Sequence, residues 1–491
     1  MNIKLLQTAK LPTPDHIDQL TDCVMVLPYP LREKDLQSLP YLKEIRQRRA
    51  RSNRRKEDKS PVVLDLPNRK ATHVSVACIK PAIDSFSLLT LARKLLDSHR
   101  KIRTVGLVVA GFDKAETERV AEALLAATLA ANAEMPAFKK KTGKKIHLDT
   151  INLFGINARH AFQRTFAEAE GNALARSLAM LPPNKLTPSD YLKRVKTLAG
   201  EYRWKMDFYG VSELKKKKAG AFLAVCQGSP TQDAGIVRLQ YKPAGKSGSG
   251  KLALVGKGIC YDTGGVSLKP PRYMFGMHED MQGSAVALGT FLALTKLKVK
   301  FPVECWLALA MNHIGPKSYL PNDVVTASDG TTIEVVNTDA EGRMVLADTL
   351  AIASKLKPKL IIDYATLTGA CMVALGTVYS GVFTNREELH AELIAAGHDS
   401  GERVWPFPQD EDYDKQIESR IADVKQCSPE GAADHILAAR FLKRFVKNNS
   451  QWVHVDLSSS SNKGGLAHVP TDTTGFGVRY TLNLLLDKKL M

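Results

Sequence analysis

Short β-rich runs alternate with helix-length amphipathic stretches twice along this chain, and one long helical stretch separates the two series. Between residues 72 and 160 the runs THVSVACI, TVGLVVAGF and KIHLDTINLF flank the patterns DSFSLLTLARKLLDSH and KAETERVAEALLAATLAANA. Strands alternating with helices of that length encode an α/β layer structure. The stretch ARHAFQRTFAEAEGNALARSLAML, near 158–181, then stops at Pro182-Pro183, where two prolines forbid continuation. Beyond it AFLAV, IVRLQY, KLALVGKG, VECWLALA, LIIDYA and WVHVDL read as strands, with helices between several of them. The expected architecture is therefore two α/β domains. A smaller N-terminal domain covers 1–157, a linker helix covers 158–184, and a larger domain over 185–491 has a mixed central sheet flanked by helices.

A chain of 491 residues can bury two or three cores, and 44% hydrophobic with 24% charged content is ordinary for a globular protein. No apolar run reaches the length of a membrane span, and MNIKLLQTAKLPTP lacks the apolar centre of a signal peptide, so a cytoplasmic enzyme is expected. Seven scattered cysteines, with no CxxC, suit reduced buried thiols rather than a disulfide framework or a thiolate zinc site. The net charge is uneven. Residues 1–165 hold 30 Lys and Arg against 17 Asp and Glu, +13 of the chain's +18, densest in RQRRARSNRRK (46–56) and KKKTGKK (139–145). A basic run is by default a solvated face; the sharper expectation is an anionic partner, non-specific DNA above all.

GKSGSGK (245–251) has phosphate-loop spacing, but Leu252 stands where Ser or Thr is required and the segment precedes a strand instead of following one. It reads as a flexible loop. More informative is NTDAEGR (337–343), which crowds Asp339, Glu341 and Arg343 between the β-like TIEVV and the helix-like MVLADTLAIASKL. Some eighty residues earlier KLALVGKGICYDTGGVSLKPPRYMFGMHEDMQGSAVALG adds Lys257, Asp262, Lys269 and Asp280. Asp262, Asp280, Asp339 and Glu341 each sit at a strand end or helix start, the rim where open α/β sheets build sites. Four such carboxylates without counter-charge would repel and take up protons, whereas two divalent ions neutralise them. Oxygen donors suit Zn²⁺, Mn²⁺ or Mg²⁺, and a pair of such ions implies metal-assisted hydrolysis. No HExxH, GxSxG or Cys/His signature competes; His454 reads as a core histidine, and His278 is given no role.

With these residues in place, NTDAEGR resembles the hallmark heptapeptide of the cytosol (leucyl) aminopeptidase family, dinuclear zinc exopeptidases. The likeness extends through VGKGICYDTGGVSLK, EDMQGSA, DYATLTGAC (363–371), GERVWPFP (401–408) and SRIADVK (419–425), and EGNALARSLAMLPPNKLTP (170–188) resembles the entry to that family's catalytic domain. It covers roughly residues 166–491. The resemblance implies that Lys257, Asp262, Asp280, Asp339 and Glu341 are metal ligands, with Asp262 and Glu341 bridging. Lys257 would ligate as a neutral amine, its pKa pushed down by the cations. Lys269 would polarise the scissile carbonyl, and Arg343 would hold a bicarbonate as proton carrier. Met277, Asn337, Thr366 and Leu367 would contact the substrate, a peptide with a free N-terminus. A homohexamer is also implied. Gln282 and Ser284 replace the commoner Gly and Ala, and SSSSNKGGLAHVPTDTTGFG follows WVHVDL where the best-known members read HLDIAG. These departures resemble a divergent bacterial-type branch, so a preference for leucine is not implied. The reading from another class is a nucleic-acid-binding protein that keeps the peptidase fold as scaffold.

Overall fold

The computed structural model describes residues 3–31, 38–51, 61–99, 102–140, 147–158, 162–245 and 250–491. Most of the two basic runs, including Arg54 and Arg55, and much of the GKSGSGK loop lie outside the described residues. The chain forms two compact units, one of residues 1–169 with 463–472 and the other of 170–462 with 473–491.

The first unit is built on a six-stranded sheet. Its strands are β1 (Lys4–Thr8), β2 (Asp22–Pro28), β3 (Val62–Asp65), β4 (His73–Ile79), β5 (Thr104–Val109) and β6 (Thr150–Phe154), in the order β1-β6-β5-β2-β4-β3. All neighbours are parallel except the β3–β4 pair at the edge. Both faces of β2 are covered: Val24 and Val26 join one apolar cluster, and Cys23, Met25 and Leu27 join another. Burial on both faces is why these strands read as near-continuous apolar runs without alternation. Helices Ser85–Leu96 and Lys114–Asn132 supply one of the layers, each started by an aspartate (Asp84, Asp113) that accepts a backbone N–H. Far down the sequence, Ala467 joins the same cluster and its carbonyl accepts from Arg93 Nε at 2.9 Å. His99 bonds Asp22 Oδ1 and Ser75 Oγ, each at 2.9 Å, which is the order of a hydrolase triad. Ser75 is wholly buried, so no substrate reaches it, and the line only ties the end of one helix to two strands.

The second unit carries an eight-stranded mixed sheet. Its strands are β7 (Lys205–Gly210), β8 (Gly235–Tyr241), β9 (Leu252–Asp262), β10 (Val303–Asn312), β13 (Leu360–Ala365), β14 (Ser380–Thr384), β15 (Val404–Pro406) and β17 (Gln451–Asp456), in the order β15-β14-β17-β13-β9-β10-β8-β7. A small sheet of β11 (Val324–Thr326), β12 (Thr332–Glu334) and β16 (Val424–Lys425) stands apart. The central strands β17, β13, β9 and β10 are mutually parallel. Their carboxyl ends, Asp456, Ala365, Asp262 and Asn312, therefore lie along one edge, where α/β sheets form their sites. The segment AFLAV, expected as a strand, is the helix Gly220–Cys226. Its five residues are too few to separate a buried strand from a buried helix by period alone. Around the prolines, the helix runs Gln163–Ala179 and a 3₁₀ turn follows at Pro183–Lys185; residues 159–161 of the expected linker are outside the described set.

That helix crosses helix Gln282–Lys296 backbone to backbone. A Cβ on Gly171 would stand 2.3 Å from the carbonyl oxygen of Gly289, and one on Gly289 would stand 2.3 Å from that of Gly171. All seven cysteines are buried and free. No described helix is long and apolar enough to cross a membrane.

Candidate metal centre

β9 continues past the expected end of its apolar run, so Lys257 lies mid-strand and is almost wholly buried, while Asp262 closes the strand. The Lys257 Nζ lies 2.8 Å from Asp280 Oδ1 and 2.8 Å from Glu341 Oε1, and it donates to the Thr366 carbonyl at 3.0 Å. The lysine passes so close to the heptad that a Cβ on Gly342 would meet its Cε at 2.6 Å, which explains a glycine inside that helix. Lys269 is the second cation, 2.9 Å from Asp262 Oδ2 and 2.6 Å from Asp339 Oδ1. Asp280 precedes helix Gln282–Lys296 but does not cap it. Its Oδ1 faces Lys257 and accepts from Thr366 Oγ1 at 2.7 Å instead. Glu341 opens helix Glu341–Ser354.

One oxygen from each of Asp262, Asp280 and Glu341 falls within 4.8 Å of the others. The donor set fits divalent cations for two reasons. Asp280 Oδ2 and Glu341 Oε2 are buried with no hydrogen-bond partner, and buried polar atoms rarely stay so. The protonation balance points the same way. Burial, then the Glu341 charge, pushes Asp262 up to about 7 against the pull of both lysines. Burial also raises Asp280 well above the carboxylate range despite Lys257, and it raises Asp339, with Glu341 adding to the effect. Glu341 alone stays below its ordinary value, because Lys257 and Lys269 outweigh its burial. Three of the four acids facing two cations are shifted towards the protonated form, the mark of a site short of positive charge. Burial alone would lower Lys257, but Asp280, Glu341 and Asp262 reverse that and hold it above the usual lysine range. With carboxylates as its only charged neighbours Lys257 is a charged ammonium. Ligation through its amine would therefore require that proton to be displaced to solvent as cations bind.

The other expected residues fall around this cluster. Arg343 is buried in the first turn of the heptad's helix. Its Nη2 donates to both Asp434 oxygens at 2.9 and 2.8 Å and its Nη1 to the Gln426 carbonyl at 3.2 Å, while Nε is buried without a partner. Asn337 spends its Oδ1 on the Asp339 N–H at 2.9 Å, shaping the turn that presents Asp339. Met277 starts the 3₁₀ turn that leads to Asp280, and near it Tyr273 and Phe275 are exposed. Leu367 is partly buried, its N–H donating to Asp456 Oδ1 at 3.1 Å. His454 pairs with Asp363 at 2.6 Å in the core.

Four supporting residues escaped the sequence reading. Asn312 donates to Asp262 Oδ1 at 2.8 Å and to the Thr338 carbonyl at 2.9 Å. Gln426 accepts from the N–H groups of Val336 and Asn337 and donates to the Ala340 carbonyl, clamping the heptad turn from both sides. Asp456 holds the loop after β13, and Asp434 holds Arg343. Asn312 and Asp456 carried a usable signal: each is a polar residue closing an apolar strand whose neighbours end in functional side chains.

Buried carboxylates and two lysines, gathered at the carboxyl ends of the parallel central strands of a mixed sheet, fit a metal-dependent hydrolase of α/β architecture. Comparison with known proteins narrows the class. The model of the cytosol aminopeptidase family, catalytic domain, matches residues 173–482. A Wolbachia pipientis wMel protein named "Probable cytosol aminopeptidase" is 44% identical over 336 residues, covering 68% of this chain and 66% of its own length. One of the same name from Rhodopseudomonas palustris (strain BisA53) is 39% identical over 366 residues, 72% of each chain. The solved structure of a mutant tomato leucine aminopeptidase superposes with a TM-score of 0.85 at 26% identity, covering 99% of this chain and 96% of that one. The chain belongs to the cytosol aminopeptidase family and is a metal-dependent aminopeptidase, a hydrolase acting on peptides.

Proposed function

We propose that Lys257, Asp262, Asp280, Asp339 and Glu341 hold two divalent ions, Zn²⁺ or Mn²⁺ and in some conditions Mg²⁺, and that the enzyme releases single residues from peptides with a free N-terminus. The observation that carries this reading is the buried triple of Asp262, Asp280 and Glu341, one oxygen of each within 4.8 Å of the others, with Asp280 Oδ2 and Glu341 Oε2 left without a hydrogen-bond partner. When bound, such a pair supplies a Lewis acid for the scissile carbonyl and an activated water.

The chain's own residues then divide the remaining work. Lys257, with its side chain 4% exposed, suits a ligand, whereas Lys269, at 14%, keeps a path to the substrate side and suits stabilisation of the carbonyl oxygen as it gains charge. Thr366 and Leu367 present the loop that lines the reacting peptide, Met277 borders the first side chain, and Asn337 fixes the turn beneath it. Arg343 is the residue that holds an anion beside the cluster; the family likeness implies bicarbonate for that anion.

Placement in the cytoplasm and assembly as a homohexamer are carried over from the resemblance, and light scattering of the purified protein reads the second. Non-specific DNA binding through residues 1–165 draws support from net charge alone. Within the described part of that run, Arg48 donates to the Val63 carbonyl and Arg49 lies over the Tyr29 ring.

The test is hydrolysis of a panel of unblocked dipeptides and their N-acetylated forms, with and without chelator. Free peptides should be cleaved, acetylated ones refused, and chelation should abolish turnover. Equal turnover of the two sets would sink the exopeptidase reading.

A further inference from the structure

We propose that Glu279 gives the pocket for the first side chain of the peptide a negative wall, so that the enzyme favours arginine or lysine there over neutral residues of the same size. The inference rests on the reading of Met277 as the border of that side chain, and it deepens that reading with a substrate class.

Glu279 closes the 3₁₀ turn that Met277 opens, one residue before Asp280. Three neutral groups hold its carboxylate. Ser461 Oγ donates to Oε2 at 2.5 Å, Gln282 Nε2 to the same oxygen at 3.3 Å, and Thr473 Oγ1 to Oε1 at 3.4 Å. Such donors fix where the acid stands without supplying a counter-charge, and no cation pairs with Glu279 among the described residues. The next acid, Asp280, has Lys257 at 2.8 Å. Glu279 is partly exposed, two of its three bonds are long, and a carboxylate has room for about four donors, so it can take another.

Ser461 shows which space this acid borders. It belongs to the serine run 458–462, part of the segment in which this chain departs from the best-known members of its family. Ser458 Oγ donates to the Tyr379 carbonyl at 2.7 Å, and Asn462 Nδ2 donates to the Thr377 carbonyl at 2.8 Å. Thr377 and Tyr379 follow helix Gly369–Leu375, which continues the loop of Thr366 and Leu367. The run is therefore pinned to the substrate loop on one side and to the Met277–Glu279 turn on the other. The two walls meet at Asp280, whose Oδ1 accepts from Thr366 Oγ1 at 2.7 Å. Ser458 and Ser461, both partly buried, bring hydroxyls to this junction in place of apolar surface. A leucine side chain here would desolvate a carboxylate, whereas an ammonium or guanidinium gains a charge-assisted bond. A glutamate that only stitched the serine run to the turn would make the same three bonds, and substrates that differ in charge alone separate the two cases.

The metal-loaded enzyme is assayed on three unblocked dipeptides with a common second residue, beginning with arginine, with its neutral isostere citrulline, and with leucine. For the wild type, kcat/KM should be on the order of 10-fold higher for arginine than for citrulline, the scale of one hydrogen bond to a charged group. That ratio should shrink as salt is raised. Glu279→Gln keeps the size of the side chain and an oxygen for Ser461, and it should bring the ratio close to one. The ratio is read within each protein, so a variant partly depleted of metal still reports it. Should Glu279→Gln fail to fold, the wild-type ratio and its salt dependence decide the matter. Equal turnover of the arginine and citrulline peptides by the wild type overturns the proposal. An arginine preference that survives Glu279→Gln also overturns it and leaves Glu279 as a support of the turn. Failure to cleave any of the three peptides would overturn the aminopeptidase chemistry and this inference with it, whereas cleavage of all three without an arginine preference overturns the inference alone.

Discussion

Asp456 is one aspartate among 51 acidic residues, yet three hydrogen bonds converge on it from the loop that follows β13. Its Oδ1 accepts from the N–H groups of Leu367 and Thr368, and its Oδ2 accepts from the Thr368 hydroxyl at 2.6 Å. Thr366, one residue earlier, is bound to Lys257 and Asp280. The loop is thus held at one end by the buried charge cluster of Lys257 and Asp280 and at the other by Asp456. Asp456→Ala orphans two backbone donors, at about 1–3 kcal/mol each, so kcat/KM should fall on the order of 10–10²-fold with metal content unchanged. Asp456→Asn keeps an acceptor for Leu367 and should recover most of that loss. Steady-state kinetics beside metal analysis would check both, and an alanine variant that loses its metal would make Asp456 a support of the cluster instead. At this scale the sequence was legible where charge was out of place. Two acids and an arginine in one turn demand a reason, and the structure gathers them. Asn312 and Asp456 offered only the signal of a polar residue closing an apolar strand, and Gln426 offered none, because its partners across the heptad turn lie 86 to 90 residues away.

Among the elements, helix Glu341–Ser354 matters twice. Its first residue is Glu341, and at its middle the buried Asp348 accepts from the N–H groups of Phe222 at 2.8 Å and Ser328 at 2.6 Å. Those bonds tie helix Gly220–Cys226, and the turn after β11, to the element that presents the heptad. Burial pushes the Asp348 carboxyl up to about 6, although both N–H bonds pull it down. The sign follows from proton counts. Between the unfolded value of 3.8 and about 6 the folded state keeps a proton that the unfolded chain has released, so stability from this group is highest below 3.8 and declines as pH rises to 6. The full swing is about 3 kcal/mol at most. Asp348→Asn cannot titrate and leaves one N–H facing an amide donor, so it should be less stable throughout. Its deficit against the wild type should be larger at pH 4.5 than at pH 7 by urea unfolding, and a deficit that grows with pH would refute the assignment. Elements with strong periodicity or double-sided burial, such as β4, β9 and helix Lys114–Asn132, were legible from the chain. AFLAV was not, since tertiary burial rather than local pattern decides a five-residue apolar run.

For the whole molecule, the alternation of strands and helices foretold an α/β fold, and the two units each carry their own sheet. What local pattern could not reveal is that residues 463–472 leave the second unit and pack in the first, because that depends on contacts such as Arg93 with Ala467, hundreds of residues apart. The balance of charge also has a molecular consequence. Two lysines already pair with the four acids, so stripping the metal should abolish activity while leaving a cooperatively folded protein. Circular dichroism and thermal melting of the chelated enzyme would check this, and collapse to an unfolded chain would show that the ions hold the fold together. The crossing of Gly171 and Gly289 bears on how such a protein can drift. Where two side chains collide, shrinking one can absorb a bulkier neighbour, and a damaging change can be repaired from across the contact. Here each glycine faces main-chain atoms, and nothing remains to be made smaller. A methyl group on either one closes the gap for both, and no exchange at the facing residue can reopen it.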